Sequence, residues 1–157
     1  MSQPNALRLS ARIIEDISHH ARNAFPEECC GVIFSNGAAD QARRLSNIQN
    51  KLHALDPQTY PRTAAIAYAM DPKELEHVMG EAEAAGAKLK AFYHSHPNHD
   101  AYFSDEDKAF ACPFGEPNFP GVAQIVVSIY DGAVRRICAY AWSDSANDFV
   151  EVAVQKV

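Results

Sequence analysis

His94, Ser95, His96 and Pro97 close an apolar run that contains Leu89, Ala91, Phe92 and Tyr93, and no other stretch limits the fold as tightly. Side chains alternate between the two faces of an extended chain, so a strand over Lys88–His96 puts both imidazoles on one face. Ser104 and Asp107 follow, giving H-S-H-P and then, counted from His96, H-x7-S-x2-D. Asp107 falls in the first turn of a predicted helix just beyond a loop, where its carboxylate can meet the two histidines. Two imidazoles and one carboxylate leave the fourth position of a tetrahedral ion to water, the arrangement of catalytic rather than structural zinc.

Simpler readings exist for each part of this pattern. Ser104 with an acid three residues on has the form of a helix capping box, although that motif prefers Glu or Gln at its last place. A single strand histidine is usually structural, and His99 and Asp100 in the intervening loop do not fit the spacing. They read as solvated loop residues with scope for a substrate contact. Two histidines on one strand face, a rigid Pro97 and a fixed downstream Ser and Asp are several coincidences at once, and together they favour a metal site.

The rest of the chain supplies a mixed α/β pattern. After a polar lead, Ser10 caps a predicted helix with Ile13, Ile14, Ile17, Ala21 and Ala24 at helical spacing, ended by Pro26. Cys29 to Phe34 reads as a buried strand, and residues 40 to 47 as its return. Residues 48 to 61 read as a long loop, and Arg62 to Ala69 as a further strand. Asp71, Pro72 and Glu74 mark a strong helix start, with Leu75, Val78, Met79, Ala82 and Ala85 on one face and Gly86 at the end. A short helix is predicted from Asp105 to about Phe110, and an irregular loop from Cys112 to Gly121. Val122 to Tyr130 and Ala133 to Trp142 are strands joined by Asp131 and Gly132, a strong hairpin signal. Phe149 to Val154 alternates as a last strand. No repeat or linker divides the 157 residues, which predicts one domain over 1–157 with a mixed sheet flanked by helices.

Composition excludes several function classes. The net charge of −6 gives no support to a nucleic-acid partner. No apolar run reaches the roughly 20 residues that span a bilayer, and Met1 to Leu9 lacks a basic segment with an apolar core, so no membrane association and a cytoplasmic location are expected. Cys29, Cys30, Cys112 and Cys138 show no C-x-x-C spacing, which removes Cys-rich zinc sites, thioredoxin-like motifs and the zinc nucleobase deaminases. A cysteine nucleophile at Cys29 or Cys30 is the local competitor, and nothing places either sulfur beside a base.

The H-S-H-P, Ser104 and Asp107 pattern resembles the JAMM (MPN-plus) motif of deubiquitinase-like metallopeptidases. Pro26, Glu27, Glu28, Cys29, Cys30 and Gly31 are similar to the P-x-E-x-C-G segment of its prokaryotic members, which puts Glu28 in register with the family glutamate and leaves Glu27 as its solvated neighbour. Phe103 is a departure, since many relatives have proline before the serine. The resemblance implies an MPN fold and one Zn2+ per chain on His94, His96 and Asp107. It also implies Glu28 as general acid–base, Ser104 as oxyanion donor, and Ser95 as support between the ligands. The implied reaction is hydrolysis of the amide after the C-terminal Gly-Gly of a ubiquitin-fold protein. That substrate is either a conjugated ubiquitin-like modifier or a sulfur-carrier protein awaiting processing. A catalytically silent MPN scaffold that only binds partners is the alternative from another class.

Overall fold

The computed structural model describes residues 6–157, and the polar lead at 1–5 lies outside the described residues. Ala6–Leu9 form a strand, β1, where the sequence suggested only a lead. Its partner is the last strand, β7 (Asp148–Lys156), with which it pairs in parallel from Ala6 opposite Ala153 to Leu9 opposite Lys156. Four residues carry too little alternation to announce a strand whose partner is at the far end of the chain.

Ser10 accepts a hydrogen bond from the Ile13 amide at 3.2 Å and caps helix α1 (Ala11–Ala24) as expected. Strands β2 (Cys30–Ser35) and β3 (Asp40–Leu45) pair antiparallel. Residues 49–55, expected as loop, form helix α2 (Gln49–Leu55), whose N-cap Ile48 offers no side-chain acceptor and so gives no start signal in the sequence. The strand expected over Arg62–Ala69 is irregular chain apart from one bridge at its end, between Asn47 and Met70. Helix α3 (Pro72–Ala84) begins on the Asp71 side chain, which accepts from the amides of Lys73 and Glu74.

β4 (Lys88–Pro97) carries both histidines at its C-terminal end and lies between antiparallel β2 and parallel β5 (Ala123–Tyr130). A parallel neighbour cannot be reached by a hairpin, so the chain crosses over through helix α4 (Asp105–Ala111). β6 (Ala133–Ser143) returns antiparallel to β5 and completes one sheet in the order β1-β7-β6-β5-β4-β2-β3 among the described residues. β5 is buried on both faces along nearly its whole length, as a central strand beside a parallel partner should be.

Alternation along β4 distributes its side chains. Ala91 and Tyr93 join Ile13, Ile17, Ile33, Ile125 and Ile129 in the core under α1. Phe92 turns to the opposite face, with Val32, Val78 and Ala82 beneath α3. His94 and His96 share the face of Phe92. The Tyr93 ring lies over Gly31, its partner in the β2–β4 register, and its hydroxyl meets His20 Nδ1 of α1 at 2.7 Å. Burial, aided by Arg44 and His19, lowers His20 to about 4, so the imidazole stays neutral and accepts from the Tyr93 hydroxyl.

A Cβ at Gly31 would clash with the hydroxyl end of the Tyr93 ring. Gly31→Ala therefore overpacks the β2–β4 contact beside the candidate site and should cost about 1–3 kcal/mol of stability, read as a lower urea midpoint at unchanged m-value. An unchanged midpoint would mean that Tyr93 has room to move.

Candidate metal centre and active-site pocket

The end of β4 brings three donor atoms together. His94 Nε2 lies 3.1 Å from His96 Nε2 and 3.1 Å from Asp107 Oδ2, and His96 Nε2 lies 3.3 Å from the same carboxylate oxygen. A tetrahedral ion with ligand bonds of about 2.0–2.1 Å separates its ligand atoms by roughly 3.3–3.4 Å, so the triangle of donors fits a zinc-sized cation. His94, His96 and Asp107 are all buried.

Each donor is held from behind. The Asp100 carbonyl accepts from His96 Nδ1 at 2.9 Å, which turns the Nε2 lone pair toward the shared centre. The Tyr68 ring stacks on His94 at 4.4 Å between centroids. Asp107 is fixed by a capping box: its amide donates to Ser104 Oγ, and its Oδ2 accepts from the Ser104 amide, both at 3.0 Å. The cap reading of Ser104 and Asp107 is thus realised by the same carboxylate oxygen that faces both histidines. Ser104 Oγ accepts this one bond and lines the pocket.

Electrostatics follow from burial and the close pairing. Desolvation alone would raise Asp107, but His94 and His96 hold it far below the usual carboxylate range, so it is ionised. Desolvation lowers His94, with Asp107 opposing. At His96 burial also pulls down, yet the Asp107 carboxylate and the Asp100 carbonyl win and its pKa rises. An anionic carboxylate beside two imidazoles held in place is a donor set suited to a cation.

Glu28 sits beside this triangle, with a carboxylate oxygen within 4.8 Å of a nitrogen of both His94 and His96. It is buried, and desolvation raises its pKa to about 8, with His96 pulling the other way. Glu28, His96, Ser104 and Asp107 line one pocket of about 360 Å³ together with Arg62, Ile66, Tyr68 and His99. Glu27 turns elsewhere and accepts from Asn50 Nδ2.

Other sequence readings also have a place in the structure. Ser95, on the α1 face, accepts from the Cys29 amide at 2.8 Å while its own amide donates to the Cys29 carbonyl, so it moors β4 to the residue after Glu28. His99 and Asp100 are more than solvated loop residues. Ser128 donates to the His99 carbonyl, Tyr130 donates to Asp100 Oδ1 at 2.8 Å, and the Asp100 carbonyl orients His96. Phe103 is buried against Tyr140 and Phe149 and anchors the loop before Ser104. Burial raises Cys29 to about 11 and drives Cys30 higher still, which leaves neither thiol as a ready nucleophile. Tyr68 and Asn47 escaped sequence reasoning, because an aromatic or an amide outside any motif carries no signal until the chain has folded.

A mixed α/β sheet thus brings a buried His/His/carboxylate triangle and a second carboxyl into one pocket, an arrangement compatible with a bound metal ion. Residues 10–140 match the family of prokaryotic homologs of the JAB domain, and the chain belongs to that family. It is 29% identical over 153 residues to the desampylase of Haloferax volcanii, an alignment spanning 95% of this chain and 96% of that one. Solution structures of a Desulfitobacterium hafniense protein and a Salinibacter ruber protein share the fold. The first has a TM-score of 0.70 at 20% identity and the second 0.62 at 22%, each over 96% of this chain and 92% of the other. A JAB1/MPN domain protein from Archaeoglobus fulgidus matches at a TM-score of 0.53 and 17% identity, over 96% of this chain and all of that one (100%). The fold is therefore the mixed α/β MPN fold expected from the sequence.

The environment of Glu28 has a measurable consequence. In metal-free protein, the folded state holds the Glu28 proton up to about pH 8, whereas an unfolded chain releases it near 4.5. The folded state binds more protons across that window, so this group's contribution to stability falls as pH rises from 4.5 to 8. Glu28→Gln cannot titrate, and its stability relative to the parent should rise steadily between pH 5 and pH 8 in urea unfolding. A flat difference would show that the carboxyl is solvated.

Proposed function

We propose that this chain is a zinc-dependent isopeptidase that hydrolyses the amide after the C-terminal Gly-Gly of a ubiquitin-fold partner, deconjugating or processing a ubiquitin-like modifier. The observation that carries the reading is the buried triangle of His94, His96 and Asp107 with the Glu28 carboxyl in the same pocket. His94, His96 and Asp107 would hold one zinc ion per chain. When bound, zinc supplies Lewis acidity, polarising a carbonyl and making water acidic near neutrality.

The chain's own residues provide the proton and charge handling. Asp107 meets both histidine nitrogens within 3.3 Å, whereas Glu28 has a carboxylate oxygen placed only within 4.8 Å of them, and its raised pKa suits a base rather than a ligand. Its carboxylate takes the proton of the attacking water and delivers it to the leaving amine. Ser104 Oγ, fixed by the capping box, donates toward the oxyanion that develops on the carbonyl. Arg62 and Glu106 form an ion pair at the pocket wall, and the exposed rings of Tyr102 and Phe110 with Ile66 give the rim an apolar surface for an extended tail. Glycines at the end of that tail allow its backbone to approach the site closely.

Likeness to a desampylase supports a ubiquitin-like protein as the substrate. The raised thiols of Cys29 and Cys30 speak against a cysteine peptidase. Four free cysteines suit a reducing, cytoplasmic setting, and no helix among the described residues is long and apolar enough to cross a membrane. We read residues 1–157 as one domain, and sulfur-carrier processing as the same reaction on another partner.

The test compares a ubiquitin-fold partner joined through Gly-Gly to a reporter, the same fusion with Ala-Ala, and the isolated tail peptide. Zinc analysis of the parent and of His94→Ala accompanies it. We expect one zinc per parent chain, loss of most of it in His94→Ala, and fast cleavage of the Gly-Gly fusion alone, because the folded body supplies binding energy realised at the transition state. Equal cleavage of all three would indicate a general peptidase, and zinc-loaded protein that binds the fusion without cutting it would indicate a scaffold.

Ser104→Ala separates the two tasks of one side chain. Loss of the cap should cost about 1 kcal/mol of folding stability, and loss of the oxyanion donor about 2–4 kcal/mol of transition-state stabilisation. Parallel measurement of kcat and urea unfolding should find both losses. Near-normal kcat with lowered stability would leave Ser104 as a cap alone.

A further inference from the structure

The irregular segment 62–69 forms one wall of the pocket, and it is held by side-chain amides instead of a strand ladder. Gln49 Nε2 donates to the Arg62 carbonyl, and Asn50 Oδ1 accepts from the Ala64 amide. Asn47 makes four bonds. Its Nδ2 donates to the Glu28 carbonyl at 2.9 Å and the Ala67 carbonyl at 3.1 Å, and its Oδ1 accepts from the amides of Gln49 and Ala69, both at 3.0 Å. The two donors and two acceptor sites of a primary amide are all in use, each on a backbone group.

Two features of this hub bear on the chemistry. Glu28 precedes β2, so no sheet ladder sets its backbone; its amide donates to the Ala64 carbonyl at 2.8 Å and its carbonyl accepts from Asn47. Both of its peptide groups are therefore tied to segment 62–69 and its hub. Ala67 and Ala69 flank Tyr68, whose ring stacks on His94. One amide thus joins the residue carrying the pocket carboxyl to the two residues on either side of Tyr68, which backs a histidine of the donor triangle.

Resting on the reading of Glu28 as the proton carrier, we infer that Asn47 is a positioning residue that locks the Glu28 backbone and the Tyr68 segment into one unit and so delivers the Glu28 carboxyl to the reacting amide. Removing its donors leaves the Glu28 and Ala67 carbonyls unheld and lets the carboxyl drift, and displacements of about 1 Å can cost on the order of 10²-fold in rate. The donor triangle does not include Asn47, so metal binding is unaffected.

The experiment uses zinc-loaded full-length protein and the Gly-Gly fusion, with Asn47→Asp, Asn47→Ala, Glu28→Gln and each Asn47 change combined with Glu28→Gln. Asn47→Asp keeps the acceptor for Gln49 and Ala69 and removes both donors, while Asn47→Ala avoids a new charge should the aspartate fold poorly. The expected result is a fall in kcat of about 10- to 100-fold with KM little changed and full zinc content. Combined with Glu28→Gln, the Asn47 change should cost nothing further, because residues acting through one group are not additive. An unchanged kcat, a loss of zinc in step with activity, or a second full loss on the Glu28→Gln background would each overturn the inference. Failure of the underlying reading looks different: a fully active Glu28→Gln enzyme removes Glu28 from the chemistry and Asn47's role with it.

Discussion

Two imidazole nitrogens and a carboxylate oxygen held out of water within 3.3 Å of one another make the strongest demand in this molecule. Such groups are costly to bury unless charge and hydrogen bonding are matched. The surrounding elements supply the match. β4 is pinned between β2 and β5, the Asp100 carbonyl takes the far nitrogen of His96, and the N-terminal turn of α4 presents Asp107 through reciprocal bonds with Ser104. The parallel pairing of β4 with β5 contributes as well, since it forces the crossover that carries α4 past the ends of the histidines.

Burial then differentiates two carboxyls that line the same pocket. Asp107 is flanked by both histidines and stays ionised, whereas Glu28 has less compensation and is pushed up to about 8. Environments that drive two acids apart are how a single pocket comes to contain both a fixed anion and a group that can exchange a proton near neutrality. Position in the fold, and nothing intrinsic to Asp or Glu, makes the distinction.

The pocket wall formed by segment 62–69 is built in another way. Segment 62–69 has Thr63, Ile66 and Tyr68 as strand-favouring residues, yet its backbone groups are held by Asn47, Gln49 and Asn50. Backbone donors and acceptors must be paired somewhere, and amides can replace a neighbouring strand. This arrangement frees Ile66 and Tyr68 to line the pocket instead of alternating across a sheet.

What the sequence determined by itself was whatever depends on short-range periodicity and local caps. The face shared by His94 and His96, the starts of α1 and α3 at Ser10 and Asp71, and the hairpin at Asp131 and Gly132 all follow from neighbours within a few residues. Only the tertiary structure decided β1, whose partner lies at the other end of the chain, and α2, which starts without a capping side chain. It alone decided that 62–69 is not a strand, because the amides holding it come from 47 to 50 and from no pattern within the segment. Likewise, a motif could place Glu28 and Asp107 in one list of residues, but the unequal pull on their protons comes from which groups the fold packs around each. Desolvation and long-range pairing are properties of the assembled sheet and are not encoded in any single stretch of the chain.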